Sequence, residues 1–233
     1  MAFRFKQFSV EDTRSTMRVG TDAMILGAWA EPPKQGFILD IGTGCGILAL
    51  MMAQKSKARI DAIDIDHPSC REATLNFKNS PWNDRLSTIH TSIQLLAATT
   101  SFRYDYIITN PPFFENQLKS PSIRKNQSRH DQELTLAELI SQIASLLTDQ
   151  GRFALILPPG RILKLQELSM KQGVFPLRQL TVQSRPGKGP KRILLEFGRT
   201  GTGKTGHASL TILGTDGKYT PGYLYLTNSF HYL

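Results

Sequence analysis

The sequence predicts an α/β fold, a mostly parallel central sheet with helices on both faces and an antiparallel edge formed by the C-terminal strands. Three observations carry this. Short apolar runs alternate with helical stretches through the first two thirds of the chain. A glycine-rich turn follows the first of those runs, and the last third holds strand-like runs with no helical pattern between them. Strands that alternate with helices build parallel units whose sheet is covered on both faces. With 233 residues the chain suits one such domain and can bury a substantial core.

Each element follows from its pattern. FILDI (37–41) is strand-like, GTGCG follows it, and ILALMMAQK (47–55) has a helical pattern. RIDAID (59–64) is a second strand, and HPSCREATLNFKNS (67–80) is an amphipathic helix. LSTIH (86–90), YDYIIT (104–109) and RFALILP (152–158) are further strands. LTLAELISQIASLLT (134–148) is apolar at helical spacing, with Gly151 following as a stop. LRQLTVQS, KRILLEFG and HASLTILG are strand-like runs joined by Gly/Pro-rich turns, which gives the antiparallel edge. Segment 114–131 is polar and weakly periodic, and loops of that length inside a compact domain are usually functional or mobile.

The formal net charge of +9 is unevenly placed. Residues 1–117 hold twelve basic and twelve acidic side chains, whereas residues 118–233 hold sixteen basic against seven acidic. A basic half beside a neutral half suggests a surface that meets phosphates. Two cysteines, Cys45 and Cys70, make no disulfide framework and no metal-ligand spacing. The five histidines include no i,i+4 pair, so no metal centre is expected. No apolar run is long enough to span a membrane, and MAFRFKQF lacks a secretory stretch, so a cytoplasmic protein without membrane contact is expected. The expected state is a monomer.

Three motifs bear on chemistry. In Asp40-Ile41-Gly42-Thr43-Gly44-Cys45-Gly46 the glycines allow a tight turn and close approach of a ligand to the backbone. The run is G-x-G-x-G rather than the G-x-G-x-x-G of dinucleotide folds. An acid at the strand end would repel pyrophosphate and suit a cationic amino-acid group, which favours S-adenosylmethionine. Asp64 lies about twenty residues beyond, where a carboxylate accepts ribose hydroxyls, and Asp66 suits a helix cap. Asn110-Pro111-Pro112-Phe113 directly follows YDYIIT. The prolines fix the backbone and leave carbonyls free. The Asn110 amide oxygen and the Pro111 carbonyl can then hold the two hydrogens of an exocyclic amino group, and Phe113 can stack on a planar substrate. Residues 198–205 (GRTGTGKT) match the Walker A pattern, but a strand-like run follows where a helix is required. They are read as a Gly-rich hairpin loop whose Arg199 and Lys204 could touch RNA.

DIGTGCG, DAIDID and NPPF in this order resemble the amino-methyltransferases of the Rossmann-like class I, S-adenosylmethionine-dependent group. The opening F-x-F-K-Q-F (3–8), V-G-T-D-A (19–23) and L-G-A-W (26–29), with S-P-W (80–82) and the ending S-F-H-Y-L (229–233), are more particular. They are similar to the valine tRNA (adenine-37-N6)-methyltransferases. That resemblance covers nearly the whole chain. It implies that Gly20, Thr21 and Asp22 lie near the methionine end of the cofactor, within an N-terminal covering segment (1–35). A cofactor-binding core (36–172) and C-terminal strands (173–233) would follow. It also implies that Asp40, Gly42 and Gly44 line the cofactor, that Asp64 binds its ribose, and that Asn110 to Phe113 hold the adenine. Relatives often carry an Asp after the third strand to touch the cofactor adenine. This chain has Ser92 there, a weaker acceptor, and it has Phe113 where many relatives have Tyr.

An adenine in a stacked anticodon loop must be flipped out to reach such a pocket. Arg124, Lys125 and Arg129 in the long loop, and Arg185, Lys188, Lys191 and Arg192 around SRPGKGPKR, are the candidates to hold tRNA phosphates. Other readings are a protein glutamine-amide methyltransferase, a non-enzymatic RNA-binding module, and an N6-adenine methyltransferase for another RNA or for DNA. The first usually adds an N-terminal helical domain, whereas about 35 residues precede the first strand of the core here.

Overall fold

A computed structural model describes residues 2–15, 19–111, 134–201 and 205–231. Ten strands and seven α-helices are assigned among them. A short antiparallel hairpin, β1 (Ala2–Arg4) with β2 (Ser9–Glu11), precedes helix α1 (Thr21–Trp29). Then come β3 (Phe37–Ile41), α2 (Ile47–Lys55), β4 (Arg59–Asp64), α3 (His67–Lys78), β5 (Leu86–His90), α4 (Ile93–Thr99) and β6 (Tyr104–Thr109). Helix α5 (Leu136–Leu146), β7 (Leu147–Leu157), α6 (Ile162–Lys171), β8 (Phe175–Gln183), β9 (Arg192–Gly198), β10 (Gly206–Thr211) and α7 (Pro221–Thr227) complete the order.

Eight strands form one mixed sheet in the order β10-β8-β9-β7-β6-β3-β4-β5. The run from β7 to β5 is parallel, β9 is antiparallel to both β7 and β8, and β10 is parallel to β8. Successive residues feed opposite layers, as the two-residue strand period requires. Tyr106 and Ile108 join the core under α1, α2, α3 and α7, whereas Ile107 joins the core under α4, α5 and α6. Burial on both faces is why these strands read as nearly continuous apolar runs.

Caps set several helix starts. Asp66 accepts from the Ser69 N–H at the start of α3, and Pro68 occupies its first turn. Thr135 and Glu138 form a reciprocal capping box on α5. Gly46 has φ +87°, and a Cβ there would lie 2.5 Å from the Phe77 ring, so the turn into α2 requires glycine.

The structure corrects three expectations. The 134–148 helix stops at Leu146, and β7 begins at once at Leu147. Gly151 ends no helix but sits in an irregular stretch where pairing jumps from Tyr104–Leu147 to Tyr106–Arg152. Strand β10 is not antiparallel. Strand β8 already covers the free edge of β9, so β10 adds to β8 and, entering from the same end, runs parallel to it. The end of β9 and the start of β10 therefore lie on either side of β8, at the end of the sheet opposite Asn110, which is not the arrangement of a hairpin. Thr202 to Lys204 fall outside the described residues. Arg199 donates to the Ala144 carbonyl at the C-terminal end of α5, so it serves the fold at the far end from the crevice.

Candidate active site

Strand β3 is followed by β4 on one side and, two crossovers later, by β6 on the other. The connections leaving β3 and β6 diverge, and that reversal opens a crevice at the carboxyl ends of the strands, where open α/β sheets bind ligands. Its floor is fixed by Thr109, whose hydroxyl donates to the Ile41 carbonyl at 2.9 Å. Around it stand Asp40, the glycine turn, Asp64 and Asn110.

Positive φ at Gly42 (69°) and Gly44 (55°) folds the turn over the end of β4. The N–H groups of Gly42 and Thr43 donate to the Ile63 carbonyl at 2.9 and 3.0 Å, and Gly44 N–H donates to Asp64 Oδ2 at 2.9 Å. Asp64 Oδ1 accepts from the Asp66 N–H at 2.9 Å. Two backbone donors thus aim the carboxylate and leave lone pairs on each oxygen for a ligand. Burial raises the Asp64 pKa, those N–H groups oppose the rise, and the Asp66 charge adds to it. Asp40 lies deeper and is fully buried. Its Oδ2 accepts from the Thr43 hydroxyl at 2.7 Å and from the Ala49 N–H at 3.2 Å. Burial pushes its pKa up to about 7, held back by the Thr43 and Ala49 bonds and raised further by Asp64.

Of the buried oxygens that lack hydrogen-bond partners among the described residues, two stand at this crevice: Asp40 Oδ1 and Asn110 Oδ1. A buried acceptor without a partner is costly and points to a ligand that completes it. Among the described residues nothing lies within 4 Å of where a Gly42 Cβ would stand, so the turn is open on that side. The donor set fits S-adenosylmethionine: a carboxylate at a ribose position, a buried carboxylate without full pairing for a cationic group, and a glycine turn open to a nucleoside.

Other expected residues are placed unevenly. Gly20 caps α1, whose first turn holds Thr21 and Asp22. Asp22 Oδ2 accepts from Arg192 Nε at 2.7 Å. Arg192 is thus half-buried and tied to the N-terminal segment. Ser92 caps α4, accepting from the Leu95 N–H at 3.1 Å, so one of its lone pairs serves the fold. Arg185, Lys188 and Lys191 are exposed on the β8–β9 turn. Pro111 is buried next to Asn110. Pro112, Phe113, Arg124, Lys125 and Arg129 lie outside the described residues. Among the described residues, no His, Cys, Asp and Glu group could hold a metal ion, and no helix is long and apolar enough to cross a membrane.

Sequence reasoning missed the anchor of the N-terminal segment. Glu72 on α3 is 3% exposed, although it reads as a polar position on an amphipathic helix. Its carboxylate accepts the N–H groups of Thr13, Arg14 and Ser15 at 2.8–2.9 Å and the Thr13 hydroxyl at 3.2 Å. Burial works against the charge, but the Arg14 and Ser15 bonds, with that of Thr13, hold the carboxyl below the ordinary range. One turn on, Asn76 exchanges two hydrogen bonds with the Glu11 backbone and donates to the Cys45 carbonyl in the glycine turn. Asp12 accepts from the Val19 N–H at 3.0 Å. The stretches on either side of the undescribed residues 16–18 are therefore fastened to α3 at one end and to Arg192 of β9 at the other, across the crevice. No signal in the sequence separates Glu72 from a solvated helix residue.

This fold, with its glycine turn and strand-end acids, defines a class I S-adenosylmethionine-dependent methyltransferase. Residues 15–172 match the Methyltransferase small domain family. A predicted O-methyltransferase from Agrobacterium tumefaciens shares the fold, with a TM-score of 0.67 at 16% identity over 90% of this chain and 96% of the other. Two relatives are each named tRNA1(Val) (adenine(37)-N6)-methyltransferase. The one from Bacteroides fragilis is 38% identical over 196 residues, covering 84% of this chain and 83% of the relative. The one from Trichodesmium erythraeum is 39% identical over 232 residues, covering 98% and 97%. The chain belongs to the family of tRNA1(Val) (adenine(37)-N6)-methyltransferases.

Proposed function

We propose that the chain transfers a methyl group from S-adenosylmethionine to N6 of the adenosine at position 37 of valine tRNA, acting as a cytoplasmic monomer. The observation that carries this reading is Asn110 Oδ1, buried without a partner among the described residues at the switch point between β3 and β6. An acceptor in that state suits a hydrogen-bond donor such as an amino group and disfavours an anionic substrate.

When bound, S-adenosylmethionine supplies a methyl group on a positively charged sulfur. Asp64 takes the ribose hydroxyls on the lone pairs that Gly44 and Asp66 leave open. Ile65, a large apolar side chain 75% exposed beside Asp64, offers a face to the cofactor adenine. Asp40 and the α1 start at Gly20, Thr21 and Asp22 serve the cationic amino-acid end.

Asn110 Oδ1 and the Pro111 carbonyl accept the two hydrogens of the substrate amino group. With both held, the nitrogen keeps one orientation, and such positioning supplies much of the rate. On methyl transfer the amino group would gain the positive charge that the sulfur loses as its bond to the methyl breaks, and the buried Asn110 amide oxygen would stabilise that charge until a proton leaves to water. No general base is required when the proton leaves to water after the transfer. In sequence, Phe113 follows as the stacking ring for the flipped adenine.

Incubation with labelled S-adenosylmethionine and total bacterial tRNA tests the reading. Label is expected as N6-methyladenosine at position 37 of valine tRNA. Label in protein, or at a different nucleoside, sinks it.

A further inference from the structure

The C-terminal edge of the sheet is electrically divided at Asn110. Toward β5, the turns 42–46, 65–66 and 91–92 contain no Lys or Arg and are built around Asp40, Asp64 and Asp66. In the other direction the edge carries Arg161 after β7, then Arg185, Lys188 and Lys191 between β8 and β9, and Lys218 between β10 and α7. The parallel pairing of β10 with β8 brings the last two groups together. Beyond Thr211–Gln183 the pairing continues, with Ile212 N–H donating to Gln183 O and Leu213 N–H to Ser184 O, each at 3.0 Å.

Both turns are internally closed. In the first, Gly187 has φ +74°, Lys188 N–H donates to Arg185 O at 3.2 Å, and Lys191 N–H donates to Val182 O at 2.8 Å. In the second, Gly217 has φ +78°, Gly214 N–H donates to Lys218 O at 2.8 Å, and Lys218 N–H donates to Asp216 Oδ1 at 3.0 Å. Their backbones are fixed while the Arg185, Lys188, Lys191 and Lys218 residues are exposed. Asp216 is the acid among them, and one of its oxygens is engaged in the turn itself. From β6 to β10 is four inter-strand spacings, about 19 Å, a distance several nucleotides of RNA can span.

We propose that the paired turns 184–191 and 213–219 dock the sugar-phosphate backbone of the tRNA anticodon arm. The RNA then leaves the Asn110 crevice toward β8 and β10, and the β4–β5 side is left to the cofactor. This rests on the tRNA methyltransferase reading above and adds Lys218 and the direction of the RNA to it. Contacts of this type position an RNA without reading its sequence, and they weaken with salt.

The test compares two charge-matched pairs of substitutions in the full chain: Lys188→Glu with Lys218→Glu, and Arg71→Glu with Lys78→Glu on the exposed side of α3. Equilibrium binding of unmodified valine tRNA is measured across a potassium chloride series, with S-adenosylmethionine binding followed by calorimetry. The turn pair is expected to lose roughly ten-fold or more in tRNA affinity, and its plot of log affinity against log salt should flatten by about two, near 0.9 per lost phosphate contact. The α3 pair should keep the wild-type slope, and both pairs should bind S-adenosylmethionine as the wild type does. Equal losses in the two pairs would mean that net charge alone acts, and no loss in the turn pair would mean that the RNA takes another path. Either result overturns the proposal while wild-type methylation stands. A wild type that neither binds nor methylates tRNA overturns the proposal and its parent reading together.

Discussion

Two halves of one sheet edge are built from opposite chemistry. The ends of β3 and β4 present buried or backbone-held carboxylates, Asp40 and Asp64, beside one tight glycine turn. The turns that flank β8 and β10 present exposed cations on fixed backbones. Asn110 stands where the halves meet. The contrast teaches how one crevice serves two unlike ligands. A cationic, ribose-bearing cofactor needs a few aimed acceptors in low dielectric, where each interaction is strong. A polyanionic RNA needs spread positive charge in water, where each contact is weak and the total is large.

Substitutions on the acidic side should break one half without the other. Asp64→Ala removes the carboxylate that Gly44 and Asp66 aim, and charge-assisted hydrogen bonds of roughly 1.5–3 kcal/mol each are lost with it. S-adenosylmethionine affinity by calorimetry should fall about 100-fold or more, while tRNA affinity changes less than about three-fold. A comparable loss of tRNA affinity would mean that the halves are not separate.

Asp40 gives a pH signature of the same half. Its carboxyl has an ordinary value of 3.8 and is raised to about 7 in the fold. Between those values the folded protein holds a proton that the unfolded chain releases, so this group's contribution to stability falls as pH rises through that window. Asp40→Asn should therefore melt above the wild type at pH 8 without ligand, with the gap closing below pH 4. A cationic ligand favours the charged carboxylate. Wild-type S-adenosylmethionine affinity should thus rise between pH 6 and 8, and the Asn variant should show a smaller rise. Parallel pH profiles would remove Asp40 from the cofactor site.

The smallest effect expected is at Ser92. Loss of the α4 cap in Ser92→Ala should cost about 1 kcal/mol in denaturant unfolding. Cofactor affinity should stay within about two-fold if the hydroxyl mainly caps the helix; a drop of ten-fold or more would restore Ser92 as a contact to the cofactor adenine.

Much of this was legible in the sequence because the residues that build the crevice are local signals. FILDI and YDYIIT are buried over most of their length and are mainly apolar, and the glycine turn, Asp64 and Asn110 each directly adjoin a strand end. What was not legible depends on distant partners. Glu72 and Asn76 look like solvated helix residues until the N-terminal segment lies on them. Arg192 shows no local sign of its pairing with Asp22, 170 positions away in sequence. The direction of β10 follows from which strand edge is free, which no local pattern encodes. Helices α1 and α2 are apolar nearly all round, as buried helices are, so α1 gives no amphipathic stripe to read.

The proposed grip on the substrate amino group rests on Asn110 Oδ1, which has no hydrogen-bond partner among the described residues, and leaves the cofactor largely to other groups. Single-turnover methylation of valine tRNA by Asn110→Ala, beside calorimetric S-adenosylmethionine binding on the same sample, tests it most directly. Methyl transfer should fall about 1,000-fold or more, near 4 kcal/mol, with cofactor affinity within a few-fold of wild type. Retained methyl transfer, or a loss explained by weakened cofactor binding, would contradict the account.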